Sequence, residues 1–124
     1  MKVKELVNAL KKVTECYPVV LMKGEEVEGL SREFCNDGTT WEQISFIIKD
    51  PKILDTEFLK HILDYCAKDE FRSLFSDETQ FVEFEVCASK QQSECVYSSV
   101  SVVKCGVEEV NNKKVFALHV EEMC

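Results

Sequence analysis

Apolar and polar residues alternate over three strand lengths in the last third of the chain, from Gln80 to Glu122. A period of two is typical of antiparallel strands with one buried face, so this stretch predicts a C-terminal β-meander. Asn111 and Asn112 tolerate the positive φ angles of a two-residue hairpin turn. A hairpin closed at these asparagines brings three apolar pairs into register: Val107 with Phe116, Cys105 with Leu118 and Val103 with Val120.

The preceding hairpin is predicted to close through a loop at residues 89–94, which pairs Val86 with Tyr97, Phe84 with Ser99 and Val82 with Ser101. In this register the opposite side of the sheet, away from the helices, carries an apolar stripe between acidic borders. A bulge at Gly106 would exchange the two faces of the strand beyond it. The predicted outer surface consists of Val96, Val100 and Val102 bordered by Glu83, Glu85 and Glu121.

Amphipathic helices are predicted to cover the inner face of this sheet. Apolar residues recur at helical spacing over 3–13 and again over 58–66, where Asp55 or Thr56 can cap the helix. A threonine cap at Thr39 or Thr40, with Glu42 or Gln43 three residues on, predicts another helix that ends before Pro51. A further short helix is indicated by Phe71, Leu74 and Phe75.

Two shorter segments complete the predicted architecture. Residues 17–22 are rich in β-formers and predict a strand, whereas residues 23–38 contain three glycines and an acidic cluster and predict an exposed loop, with room for a short strand near Val27. The sequence therefore predicts one α+β domain over residues 1–124. Three to four helices would pack on one face of a three- to four-stranded, mainly antiparallel sheet with a C-terminal β-meander.

The net charge of −8 decides which partners are plausible. Such a chain is poorly suited to hold nucleic acid or an anionic membrane by charge, and a basic protein partner is the better expectation. Five adjacent pairs of carboxylates occur, and adjacent acids in turns and at strand ends are usually solvated and fit general acid–base catalysis poorly. We therefore expect these acids to form either a solvated face or a recognition surface.

Seven cysteines at irregular spacing form no visible disulfide framework. The N-terminus has no apolar signal segment, and the longest apolar runs are too short to span a bilayer. These features predict a reducing cytosol and free thiols, several of them packed as small hydrophobes.

No motif predicts an enzyme or a cofactor. The two histidines, His61 and His119, lack the local partners of a zinc site, and no nucleotide-binding glycine motif occurs. A thiol nucleophile that pairs His119 with Cys87 or Cys105 is a weaker alternative, because the strand pattern already explains these positions.

The acids and the valine stripe together predict a partner-binding surface. A rigid acidic surface can occupy a phosphate-binding groove through charge-assisted hydrogen bonds, and an apolar centre would supply a dry core. The predicted residues of this surface are Glu25, Glu26, Asp77, Glu78, Glu83, Glu85, Val100, Val102 and Glu121.

The opening helix at residues 3–12, followed by the strand at residues 17–21, resembles the start of many small phage-encoded proteins, including some anti-CRISPR proteins. The resemblance covers about twenty residues and implies an acidic α+β inhibitor that binds a CRISPR effector nuclease where DNA would bind. Two alternatives stay open. The chain could be a homodimeric accessory protein of phage or bacterial origin that pairs through an edge strand at residues 115–120, or a small thiol-dependent enzyme.

Overall fold

The computed structural model describes residues 1–37, 42–49, 54–68, 83–93 and 96–121. Within these ranges the chain forms two helices and six strands rather than the predicted three to four helices on a three- to four-stranded sheet, so the predicted fold class is wrong. In chain order the elements are α1 (Val3–Lys11), β1 (Val19–Lys23), β2 (Glu26–Asp37), β3 (Gln43–Ile48), α2 (Thr56–Lys68), β4 (Glu85–Ser93), β5 (Val96–Val110) and β6 (Lys113–Val120).

The six strands close into a barrel in sequence order, with β6 beside β1. The β1–β6 and β3–β4 pairs are parallel and the other pairs are antiparallel. Two long strands change neighbour part of the way along. Strand β2 pairs with β1 over residues 26–29 and with β3 over residues 30–37, and β5 pairs with β4 over residues 96–101 and with β6 over residues 102–110. The register shifts near both changes, and the one extra residue of β5 between Val102 and Lys104 is a bulge, which bends a strand and allows a sheet to turn a corner.

Both helices pack apolar side chains against the inward residues of the strands. Val3, Leu6 and Leu10 of α1 are buried, as the helical spacing predicts, and α2 buries Leu59 and Ile62. Together with the inward strand residues they form the larger of two hydrophobic clusters in the described residues, and its largest fully buried side chains are Phe46, Phe84 and Phe116.

Side-chain contacts at the helix ends explain where the helices begin. The Phe58 amide donates a 2.8 Å hydrogen bond to Oδ1 of Asp55, which is the cap predicted for α2. Oε2 of Glu5 accepts a 3.1 Å bond from the Lys2 amide at the start of α1. The two helices are also linked, because Nζ of Lys60 donates to the Val13 carbonyl after the end of α1.

Two predicted elements before α2 are wrong. Residues 26–37, expected as a loop, form the twelve-residue strand β2. The predicted helix after Thr39 is replaced over its described residues by β3, in which Ile44 and Phe46 point into the core. Trp41 lies outside the described residues, as do Phe71, Leu74 and Phe75 of the predicted fourth helix.

The final hairpin confirms most of the predicted register. Asn111 and Asn112 have φ angles of 52° and 64°, and Gly106 pairs with Ala117 without a bulge. The bulge lies earlier, between Val102 and Lys104. The pairs Val107–Phe116 and Cys105–Leu118 are therefore confirmed, but Val120 lies opposite Val102 instead of Val103.

The first hairpin of the meander is longer than predicted. Strand β4 extends to Ser93, so Gln91, not Val86, lies opposite Tyr97, and Ser89 lies opposite Ser99. Phe84 and Val86 are nevertheless buried in the core, on the predicted side, whereas Val82 lies outside the described residues.

Strand β6 is not an edge. It pairs with β5 along its whole length and with β1 over residues 116–119. Its main-chain groups are used on both sides, so the predicted homodimer contact through residues 115–120 is wrong.

Candidate functional site

Three of the predicted partner-binding acids meet at one end of the barrel. Glu25 lies in the β1–β2 turn, Glu26 opens β2, and Glu121 directly follows β6. Strands β1 and β6 are parallel, with Met22 opposite His119, so their C-terminal ends lie together. We call Glu25, Glu26 and Glu121 the acidic end.

The carboxylates of the acidic end are exposed to solvent. Among the described residues, none of the three takes part in a recorded ion pair. The turn that carries Glu25 is formed by Gly24, whose φ of 62° is readily adopted by glycine and whose surroundings are open. Within the described part of the chain these acids therefore have no ion pair to break before they contact a partner's cations.

Glu83 is in a different situation. Its Oε2 lies 2.6 Å from Nζ of Lys2 and its Oε1 lies 3.0 Å from Nζ of Lys4. The hydrogen bonds from Lys2 and Lys4 lower the pKa of Glu83, and the bond to Glu83 raises the pKa of Lys2. This carboxylate fastens the start of α1 to the residues before β4, and its charge is compensated locally.

The remaining predicted residues are divided between surface and core. Glu85 is exposed, with Oε2 at 3.5 Å from the Met1 nitrogen, and Val100 is partly buried against the core. Val102 is fully buried, so its predicted place on the outer surface is wrong, and the neighbouring Val103 is exposed instead. Asp77 and Glu78 lie outside the described residues.

An imidazole–carboxylate pair lies on the outer face of β5 and β6. Nε2 of His119 contacts Oε2 of Glu108, and Lys104 lies directly opposite His119. This arrangement was not predicted, because His119 has no diagnostic neighbour along the sequence. The i to i+4 spacing of Lys104 and Glu108 on one strand face was the available signal.

Cys87 and Cys105 are the two thiols considered for a nucleophile that pairs with His119. Burial raises the pKa of Cys87 above its ordinary value and raises the pKa of Cys105 to about 11, so both stay protonated near neutral pH. Cys87 also lies within 3.7 Å of Oε1 of Gln43, and neither histidine is recorded as its partner. Cys66 is buried, and Cys16 and Cys35 are exposed.

Neither a metal-binding cluster nor a membrane-spanning helix is found in the described residues. No group of three or more His, Cys, Asp or Glu side chains there could hold a metal ion. No helix in the same ranges is long and apolar enough to cross a membrane.

Comparison with known proteins adds no assignment. Searches against protein-family models, curated proteins and solved structures return no match to this chain.

Proposed function

We propose that this chain is a protein-binding module whose acidic end engages a basic surface of its partner. The observation that carries the proposal is the convergence of Glu25, Glu26 and Glu121, three exposed carboxylates without an ion pair among the described residues, at one end of a closed barrel. A rigid scaffold holds such carboxylates at fixed spacing, which favours charge-assisted hydrogen bonds to Lys and Arg.

The partner class follows from the charge. A groove that binds nucleic acid presents Lys and Arg to phosphates, and carboxylates can occupy the same groove. We propose that the chain inhibits a nucleic-acid-binding protein, of which a CRISPR effector nuclease is the candidate that the N-terminal resemblance suggests. The proposal includes no catalytic step and no cofactor. The free thiols of the described cysteines fit a reducing cytosol.

A pair of charge-matched variants tests the proposal. Glu25→Lys/Glu26→Lys removes two carboxylates of the acidic end and changes the net charge from −8 to −4, two units for each substitution. The control, Glu42→Lys/Glu57→Lys, makes the same change at exposed positions elsewhere. We expect DNA binding by a guide-loaded effector nuclease, measured by gel shift, to be inhibited by the parent and control proteins. The first variant should inhibit roughly tenfold less well.

Measurements at different ionic strengths test two claims separately: that the acidic end is the binding surface, and that a nuclease is the partner. Because the contacts are between exposed charges, inhibition should weaken between low and physiological ionic strength. Absence of inhibition at low salt removes the nuclease as the partner. Equal inhibition by both charge variants removes the acidic end as the binding surface.

A further inference from the structure

Strand β5 has a stretch of main chain with a strand on one side only. Residues 96–101 pair with β4 and residues 102–110 pair with β6. In the described part of the chain, residues 103–110 therefore have β6 as their single strand neighbour. The Met1 amino group donates a hydrogen bond to the Val102 carbonyl, and the open stretch begins at the next residue, Val103.

The hydrogen-bonding groups on this open side can be identified from the ladder. The Phe116 amide donates to the Pro18 carbonyl on the β1 side, so Phe116 directs its main chain away from β5. Its partner Val107 is consequently in a non-hydrogen-bonded pair, and the main chain of Val107 points away from β6. By alternation, the main-chain groups of Cys105 and Glu109 also point to the open side.

Side chains around this stretch are exposed and partly apolar. Val103 is 41% exposed and Val107 is 43% exposed, although Phe116 opposite Val107 is fully buried. Lys104 and Glu108 lie on the other face of the strand, where Lys104 is exposed and the Glu108 side chain is 40% exposed. An open strand with exposed valines is a ready template for another strand.

The sequence of this stretch is complementary to itself. When two copies pair antiparallel about a twofold axis at Gly106, Cys105 of one copy lies opposite Val107 of the other, and their open main-chain groups face each other. The same register places Lys104 opposite Glu108 of the second copy, so that Lys104 joins His119 beside this carboxylate, and the symmetric contact repeats it. Opposite charges directly across a ladder stabilise the pairing, and the two glycines at the axis leave room for it.

We propose that the open side of β5 is a homodimer interface in which residues 103–109 of two copies pair antiparallel about Gly106. Each β5–β6 hairpin then continues into the hairpin of the second copy. The occupant is a second copy because the Lys104–Glu108 complementarity is between residues of this chain. The proposal is independent of the acidic end, and its test requires no other protein.

A charge-swap experiment with light scattering tests the register. Lys104→Glu places Glu opposite Glu108 at two symmetric positions, and Glu108→Lys places Lys opposite Lys104. Each single variant should raise the dimer dissociation constant roughly tenfold or more, and the double variant should restore it. Lys113→Glu is the control, since it makes the same charge change at an exposed residue of β6. Circular dichroism confirms that each variant is folded.

Crosslinking gives a second measurement that does not depend on those charges. Gly106→Cys places two thiols across the axis in a non-hydrogen-bonded pair, where Cα atoms about 4.5 Å apart are within disulfide range. Under mild oxidation this variant should form more crosslinked dimer than the parent chain or Lys113→Cys, which report the background from native cysteines. A monomer at all accessible concentrations overturns the proposal. A dimer whose dissociation constant is unchanged by the charge reversals and which Gly106→Cys does not crosslink also overturns it. So does a finding that β5 pairs only with a strand of another protein.

Discussion

Val102 lies opposite Val120 in the β5–β6 ladder, and the next pair joins Lys104 to His119. Val103 is therefore the extra residue of a bulge. Val102 is fully buried, whereas Val103 is 41% exposed. Because a bulge reverses the alternation of a strand, the valine expected on the surface belongs to the core and the valine expected in the core is exposed.

Alanine substitutions at these neighbouring valines should differ in cost. Val102→Ala removes buried methyl groups and leaves a cavity, so the free energy of unfolding should fall by about 2 kcal/mol. Val103→Ala removes the same atoms from an exposed position and should change it by about 0.5 kcal/mol or less. Urea denaturation of both variants measures the difference. Equal losses would place both valines in the core and contradict the bulge.

The predictable elements are those in which one local signal is unopposed. Helices α1 and α2 follow from apolar residues at helical spacing, with a cap at Asp55. The β5–β6 hairpin follows from two asparagines that accept positive φ. In these segments hydrophobic period and turn chemistry agree, so tertiary contacts only reinforce the local preference.

Strands β2 and β3 were missed because their patterns are not regular. A register shift in β2 between Leu30 and Phe34 interrupts the ladder, and the acidic residues at the start of the strand resemble a loop. In β3, Ile44, Ile47 and Ile48 fit a helical stripe. The buried Phe46 at the alternate position was the contrary signal. Closure of the barrel depends on pairings distant in sequence, which a local pattern cannot determine.

Only part of the candidate site could be predicted from the sequence, and the reason is similar. Composition indicates an acidic surface, but whether a carboxylate is available depends on its neighbours in space. Glu83 is paired with Lys2 and Lys4 across about eighty residues of chain, whereas Glu121 has no recorded ion pair among the described residues. Nothing in the local sequence of either glutamate distinguishes the two cases.

Two glycines provide matched tests of backbone conformation. At Gly106 an added Cβ would meet nothing within 4 Å and the backbone does not require a positive φ, so Gly106→Ala should raise the free energy of unfolding by about 0.4–1 kcal/mol. At Gly24 the space is equally open, but φ is 62°. Gly24→Ala should therefore cost about 1 kcal/mol. Thermal unfolding of the two variants checks the opposite signs, and destabilisation by both would contradict an extended backbone at Gly106.

Removal of the Glu83 carboxylate should change the acid stability of the protein. Lys2 and Lys4 lower the folded-state pKa of Glu83 below its ordinary value of 4.5, so its contribution is present above pH 4.5 and is lost as the pH falls through the folded-state pKa. Glu83→Gln should consequently be less stable than the parent at neutral pH, and the difference should shrink in acid. Urea titrations across the acidic range measure this. Glu121→Gln is the control, and a gap for Glu83→Gln that is independent of pH would contradict the ion pairs.

The alkaline stability of the protein should depend on Cys105. Burial, with a smaller contribution from the Glu5 carboxylate, raises the folded-state pKa of this thiol from 9.0 to about 11. Between these values the unfolded chain has lost the proton and the folded chain keeps it, so the unfolded state binds fewer protons and stability falls as pH rises. Cys105→Ala should show a shallower fall between pH 9 and 11 than the parent in urea denaturation. Cys35→Ala, which removes an exposed thiol, is the control and should follow the parent curve. The titrations of lysine and tyrosine are common to all three proteins and therefore do not distinguish their curves. If the Cys105→Ala curve ran parallel to the parent curve throughout this range, the folded protein would not hold the Cys105 proton more tightly than the unfolded chain does.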